Sequence, residues 1–231
     1  MTILGQDGIE NITLNNMDIS SHLFIGGGNV GSLNISISDV VLSGSTRVTG
    51  TSDSDSLIID SLTTSRLSIN TRDGNDHFDI SGLDTTNVSL FAGDGADSLF
   101  MSNNEGTTNQ SLSLNMGIGS NYVSIDNLVT NNGLIATSSN GPDQWILRNS
   151  AFGGAVSIST NTGEDSIEVD NSTFSARATF RAGGQDDVIV STNNNFFDRV
   201  FYTCGSGVDQ LTDTGNDTAD SDRRLSGCES Q

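Results

Sequence analysis

The sequence repeats one short motif about every 22 residues: a glycine, any residue, an acidic residue, any residue and a large apolar residue. We call the third position of this motif the acidic slot. The slots are Glu10, Gly31, Asp55, Asp76, Asp97, Asn121, Asp143, Asp165, Asp186 and Asp209. Consecutive slots lie 21 to 24 residues apart. A fixed period of this length indicates a repeat architecture, in which each unit packs against its neighbours.

Apolar residues follow the slot with the spacing of a strand. The residue two positions after the slot is apolar in every repeat, and the residue four positions after it is apolar except at Asp213. Side chains two residues apart lie on one face of a strand, so these pairs should face a common core. The predicted pairs include Leu33 and Ile35, Trp145 and Leu147, Ile167 and Val169, and Val188 and Val190.

Each repeat is too short to bury its own apolar face. Parallel stacking of the repeats, about 4.8 Å apart, would bury a continuous core and satisfy the backbone hydrogen bonds between neighbours. The sequence therefore predicts an all-β fold, a right-handed parallel β-helix of about ten coils of 21–24 residues. We expect the solenoid to span residues 1–211 and residues 212–231 to form a polar, acidic C-terminal cap. The first repeat begins within eight residues of Met1, and we expect the natural chain to continue upstream.

The coils resemble those of the pectate-lyase-like superfamily of parallel β-helices, over roughly residues 8–211. Asparagine recurs six positions after the slot, at Asn16, Asn103, Asn127, Asn149 and Asn171. The resemblance implies that these side chains form a hydrogen-bonded ladder at a corner, interrupted at Ser61, Gly82 and Thr192. The slot motif is also similar to the core of the calcium-binding nonapeptide of RTX proteins, although here it occurs once per coil.

The slot aspartates allow two interpretations. An Asp in a glycine corner can accept hydrogen bonds from backbone N–H groups nearby. Stacked aspartates can also bind calcium, which takes six to eight oxygen ligands. Acidic residues are densest in two adjacent coils, where Asp73 and Asp94 stack beside Asp76 and Asp97. These four residues form the predicted calcium site.

The two cysteines, Cys204 and Cys228, lie 24 residues apart near the C-terminal end. A disulfide between them would tie the last coil to the cap and stabilise the fold by roughly 3 kcal/mol. A disulfide also predicts an oxidising compartment, and we expect a secreted or cell-surface protein.

The charge of the chain is strongly negative, because 29 acidic residues face nine arginines and no lysine, for a net charge of −20. Nucleic acids and anionic membranes require a basic surface, so neither is an expected partner. No apolar run is long enough to span a membrane.

The sequence favours a binding or structural role over catalysis. A cleft for acidic sugars could be drawn around the arginines: Arg66 and Arg72 lie on either side of one corner, and Arg177, Arg181 and Arg199 fall in consecutive coils. The coils contain almost no insertions, whereas enzymes usually build the walls of an active site from long loops. A surface of net charge −20 would repel an anionic polymer. The two histidines, His22 and His77, lie in unrelated coils. We assign no catalytic residues and expect an extracellular structural or adhesive module that binds a neutral glycan or a protein.

Two alternative functions stay open. One is a lyase or glycoside hydrolase that acts on acidic polysaccharides, as the resemblance implies. The other is a calcium-stabilised filament subunit that associates end to end through the open edges of its terminal coils.

Overall fold

A computed structural model describes residues 1–6, 8–29, 31–102, 110–218 and 223–230. The predicted fold class is confirmed: these residues form an all-β parallel solenoid of about ten turns. Strands of three parallel sheets wrap one core, and each strand pairs with its equivalent in the coils before and after it. The described residues contain no helix that is long and apolar enough to cross a membrane.

Two long sheets and one short sheet make up the walls. Sheet 1 has eleven described strands: Thr2–Leu4, Leu23–Gly26, Thr46–Thr49, Leu67–Asn70, Asn87–Phe91, Ser111–Asn115, Leu134–Thr137, Val156–Ser159, Ala178–Gly184, Val200–Ser206 and Arg223–Ser226. Sheet 2 also has eleven: Glu10–Ile19, Leu33–Leu42, Ser56–Thr63, His77–Asp84, Ser98–Ser102, Tyr122–Asp126, Gln144–Arg148, Ser166–Asp170, Val188–Thr192, Gln210–Thr214 and Glu229–Ser230. Sheet 3 has five: Val129–Thr130, Ala151–Phe152, Thr173–Phe174, Asn195–Phe196 and Asp217–Thr218.

The predicted apolar pairs form the core of sheet 2, with one exception. Ile167 pairs with Ile189 across neighbouring coils, and Ile189 is fully buried. The predicted pair Val188 and Val190 instead points outward, so this part of the prediction is wrong. The acidic slot of that coil is Asp187, one residue later than the predicted Asp186. A shift of one residue turns every side chain of a strand to the opposite face.

A second error of register has no effect on burial. In the second coil the residue that aligns with Asp55 is Leu33 and not Gly31, because Asn34 pairs with Ser56. This shift is two residues, so Leu33 and Ile35 still face the core, as predicted.

At the corner after sheet 2, one residue of the coil adopts the left-handed backbone conformation, with positive φ. Asn16, Asn127, Asn149 and Asn171 all have φ between 48° and 54°. Asparagine tolerates this conformation better than most residues, which explains its recurrence there. Asn193 (φ 56°) takes the place predicted for Thr192, in line with the shifted register. The predicted Asn103 lies outside the described residues.

The side-chain ladder at this corner mixes asparagine with aspartate. Asn171 Nδ2 donates to Asn149 Oδ1 at 2.7 Å, and Asn149 Nδ2 donates to Asp126 Oδ1 at 2.8 Å. One residue further along, a buried inner column accepts backbone N–H groups from coil to coil. Its acceptors are the side-chain oxygens of Ser150, Ser172, Asn194 and Asn216.

The predicted disulfide is confirmed: Cys204 and Cys228 are bonded, with their Cα atoms 5.0 Å apart. It joins the fully buried Cys204 of sheet 1 to the coil that follows. Strands also continue beyond residue 211, since Asp217–Thr218, Arg223–Ser226 and Glu229–Ser230 pair with the preceding coil. The segment predicted as a cap therefore contributes strands to all three sheets.

Aromatic side chains fill the core beside sheet 3. The Phe174 ring stacks on Phe152 and Phe196, with centroids 5.8 and 4.9 Å apart and planes within about 11° of parallel. All three side chains are at least 98% buried. The stack therefore joins three consecutive coils through one continuous contact.

Replacing Phe174 with alanine should lower the free energy of unfolding by about 3–5 kcal/mol, because it leaves a cavity between two stacked rings. Phe197→Ala is the matched control, since Phe197 is 63% exposed and should change stability by less than about 0.5 kcal/mol. Equilibrium denaturation of both variants measures the difference. Equal losses in the two would contradict the burial described here.

Candidate functional site

The slot residues form a buried column along the corner that precedes sheet 2. In each coil, the backbone N–H of the slot residue donates to Oδ1 of the slot residue in the next coil. Eight such bonds of 2.7 to 3.0 Å join Leu33 to Asp55, Asp55 to Asp76, Asp76 to Asp97, Asp97 to Asn121, Asn121 to Asp143, Asp143 to Asp165, Asp165 to Asp187 and Asp187 to Asp209. The column thus continues the coil-to-coil hydrogen bonding through a corner.

The second carboxyl oxygen of most members has no hydrogen-bond partner. Buried, unpartnered Oδ2 atoms occur in Asp76, Asp97, Asp143, Asp165, Asp187 and Asp209. Thr71 neighbours Asp76, but its hydroxyl donates to the Ala92 carbonyl at 2.9 Å and has no proton left for the carboxyl. A protonated carboxyl could donate to such a hydroxyl, whereas an ionised one could not.

Burial favours the protonated form of these carboxyls. It raises the pKa of Asp76 to about 7 and the pKa of Asp97, Asp143 and Asp187 to about 6. The backbone N–H bonds oppose this effect, and neighbouring carboxylates in the column add to it. These four carboxyls therefore keep their protons to a higher pH than an ordinary aspartate does.

The predicted calcium residues divide between this column and the surface. Asp76 and Asp97 are 1% and 2% exposed and occupy adjacent rungs of the column, whereas Asp73 and Asp94 are exposed neighbours at the corner. The described residues include no group of three or more His, Cys, Asp or Glu that could hold a metal ion. The calcium site at these four carboxyls therefore stays a prediction from the sequence.

The raised pKa values of Asp76, Asp97, Asp143 and Asp187 make stability depend on pH. Because the folded-state pKa of these carboxyls lies above the unfolded value of about 4, the native state binds more protons between about pH 4 and pH 7. The free energy of unfolding should therefore fall as pH rises through this window. Each such carboxyl contributes up to about 1.4 kcal/mol per pH unit.

Asp97→Asn should flatten this pH dependence and leave the protein at least as stable at about pH 8. Asn121 shows that an amide fits the column, because its Oδ1 accepts the Asp97 N–H and its Nδ2 donates to the Gly119 carbonyl at 3.2 Å. Asp79→Asn, on the exposed outer face of sheet 2, is the control and should keep the wild-type slope. Thermal unfolding across pH measures both; a variant that unfolds more easily at every pH would argue that Asp97 is ionised.

Charge is divided unequally between the two long sheets. The described strands of sheet 1 contain no acidic residue and four arginines, Arg47, Arg181, Arg223 and Arg224. Three more arginines, Arg66, Arg177 and Arg199, come directly before strands of this sheet. The strands of sheet 2 contain one arginine, Arg148, and the acidic residues Glu10, Asp18, Asp39, Asp60, Asp79, Asp84, Asp126, Glu168, Asp170, Asp213 and Glu229.

The outer face of sheet 1 contains a shallow trough of about 760 Å³. Side chains from consecutive coils line it, since Ser89, Ser113, Ile135, Ser157 and Thr179 are paired in register. Gly133 and Ala155 also line it. The trough thus presents a row of hydroxyl groups, interrupted by an isoleucine that is 61% exposed.

Arginines close both ends of the trough. Arg66 lies at one end, and Arg177 and Arg181 lie at the other. The strands that follow Arg66 and Arg177 are five coil steps apart, which is about 24 Å at strand spacing. The Arg177 guanidinium lies over the Phe201 ring, 5.7 Å from its centroid. None of the lining residues is Asp or Glu.

Sequence analysis placed Arg177 and Arg181 in consecutive coils with Arg199, and the structure brings the first two to one trough. The sequence placed Arg66 beside Arg72 at another corner and did not predict the hydroxyl row, because net charge was summed over the whole chain. The sequence does contain a signal for this surface, because the outward positions in the second strand of each coil lack acidic residues. His22 directly precedes a strand of sheet 1 and His77 begins a strand of sheet 2; each ring bonds a serine hydroxyl, Ser45 and Ser98 respectively.

No protein-family model matches this chain, and neither a curated protein nor a solved structure matches it.

Proposed function

We propose that this protein is an extracellular structural or adhesive module that binds a glycan along the trough of sheet 1. The observation that carries the proposal is the trough itself, an acid-free, arginine-bounded surface on a chain of net charge −20. The disulfide is consistent with an extracellular location. The asparagine corner further supports membership of the pectate-lyase-like superfamily.

The geometry of the trough suits an extended polymer. The hydroxyls of Ser89, Ser113 and Ser157 lie in register and can exchange hydrogen bonds with sugar hydroxyls, while the exposed Ile135 between Ser113 and Ser157 offers an apolar contact to a sugar ring. A segment of about 24 Å would reach from Arg66 to Arg177. The rigid solenoid holds these groups in place before the ligand binds, so little ordering entropy is lost.

The arginines favour a glycan that carries carboxylate or sulfate groups. Guanidinium groups bind such anions with charge-assisted, often bidentate, hydrogen bonds. The sequence alone favoured a neutral glycan, because the whole chain is strongly acidic. The charge of this face has the opposite sign, and the local charge is what a ligand in the trough experiences.

The lining residues support binding over hydrolysis. Glycoside hydrolases typically place two carboxyl groups on either side of the scissile bond, whereas the trough is lined by hydroxyl, amide, apolar and guanidinium groups. These groups can hold a polysaccharide and orient it.

A panel of immobilised neutral and acidic polysaccharides tests the proposal. Wild-type protein should bind acidic members, and the double variant Arg177→Ala/Arg181→Ala should bind them about tenfold more weakly for each charge-assisted bond lost. Arg148→Ala removes the same charge from sheet 2, where Arg148 pairs with Glu168 at 2.5 Å, and should bind as wild type does.

Binding to neutral polysaccharides alone would contradict the acidic ligand. Equal losses of affinity in the Arg177→Ala/Arg181→Ala and Arg148→Ala variants would contradict the trough as the binding site. The incubated polysaccharides should also stay intact. New reducing ends or unsaturated sugars would identify the protein as a hydrolase or a lyase instead.

A further inference from the structure

The two long sheets present outer faces of opposite charge on one molecule. The strands of sheet 1 have outward arginines and no acidic residue. The strands of sheet 2 have one arginine, and their outward acidic residues are Asp60, Asp79, Asp126, Glu168 and Asp170. Asp213 of sheet 2 and Arg223 of sheet 1 form an ion pair at 2.7 Å and belong to neither face. We propose that the sheet 1 face of one molecule docks on the sheet 2 face of a second copy, so that the solenoids associate side by side. This inference depends on the placement of charge and does not require glycan binding.

The sheet 2 face has an aromatic centre that suits arginine. The Phe100 ring lies 5.8 Å from the His77 ring and 5.4 Å from the Tyr122 ring. Phe100 is 40% exposed, and Ile58 nearby on the same face is 43% exposed. Aromatic rings next to a polar surface are typical of residues that anchor protein interfaces.

Carboxylates border this aromatic centre. Asp79 pairs in register with Phe100 in the adjacent coil, and Asp126 ends the strand that begins with Tyr122. An arginine from a second molecule could place its guanidinium over a ring and donate hydrogen bonds to a neighbouring carboxylate.

The sheet 1 face already uses this chemistry within one molecule. The guanidinium of Arg47 lies 5.8 Å from the Phe24 centroid, and those of Arg177 and Arg224 lie 5.7 and 5.8 Å from the Phe201 centroid. Arg177 and Arg181 are both exposed on this face. Their guanidinium groups can therefore reach the carboxylates and rings of another molecule.

The size of the faces determines how two copies must align. Ten coils at about 4.8 Å extend about 48 Å, and a strand of four to five residues is about 15 Å wide. The projected area is therefore about 700 Å², close to the roughly 800 Å² per partner of a standard stable interface. The copies must overlap along most of their length, which requires side-by-side alignment.

The contact joins different surfaces of the two molecules, so it does not close on itself. Each added copy leaves one sheet 1 face and one sheet 2 face free, and association continues as an open row. Long-range repulsion between chains of net charge −20 opposes this. At about 0.15 M salt it is screened beyond about 8 Å, while pairs in direct contact are screened much less.

Sedimentation of wild-type protein and two single-face variants tests the proposal. Arg177→Glu/Arg181→Glu disables the sheet 1 face, and Asp79→Arg/Phe100→Ser disables the sheet 2 face; all four positions are exposed. Wild type should form species larger than dimers as concentration increases at about 0.15 M salt, and dissociate at about 1 M. Each variant alone should be monomeric, with an unfolding transition like that of wild type.

The mixture of the two variants provides the decisive result. Each retains one working face, so an equimolar mixture should form a one-to-one dimer and nothing larger. A wild type that stays monomeric at every concentration would overturn the proposal. Association that survives in both variants would overturn it too, because end-to-end contact would then explain it.

Discussion

The backbone amides of each strand must find their acceptors in the neighbouring coils, because all three sheets pair strands of different coils. This requirement fixes the register of the whole molecule. Where the sheets end at a corner, side chains continue the pairing: the slot carboxyls accept the next N–H groups before sheet 2, and Ser150, Ser172, Asn194 and Asn216 do so after it. The side-chain columns are the continuation of the sheets.

Strict register also places equivalent side chains in columns. The repulsion that a charged residue experiences therefore depends on which column it occupies. Ionised carboxylates stacked at strand spacing would repel one another. Inside the molecule, burial raises the pKa of Asp76 and Asp97, which favours their neutral forms. Outside, acidic residues concentrate on sheet 2 and arginines on sheet 1. The same stacking therefore also gives each long sheet a charge of its own, negative for sheet 2 and positive for sheet 1.

The sequence predicted those features that depend on side-chain periodicity. The parallel solenoid, the paired apolar residues and the Cys204–Cys228 disulfide all appear in the structure. The error at Asp186 arose because Gly183, Gly184 and the positive-φ Gln185 precede the true slot, and two adjacent glycines leave the position of the turn ambiguous. An error of one residue reverses the faces of a strand, whereas the two-residue error at Gly31 preserved them.

The trough could not be predicted from the sequence, for a different reason. Its lining comes from six coils, so the residues that form it are far apart in the sequence. The charge of sheet 1 could have been found by aligning the coils and reading one outward position at a time. Net charge concealed it, because most acidic residues lie elsewhere in each coil.

The central claim is that sheet 1 is a binding face whose charge differs from that of the chain. With nine arginines and no lysine, the side-chain Nε–H signals in a nitrogen-labelled sample form a small, assignable set. Titration with an acidic oligosaccharide should shift the signals of Arg66, Arg177 and Arg181 and leave that of Arg148 unchanged. Shifts confined to Arg148, or no shift in any arginine at saturating ligand, would contradict the account.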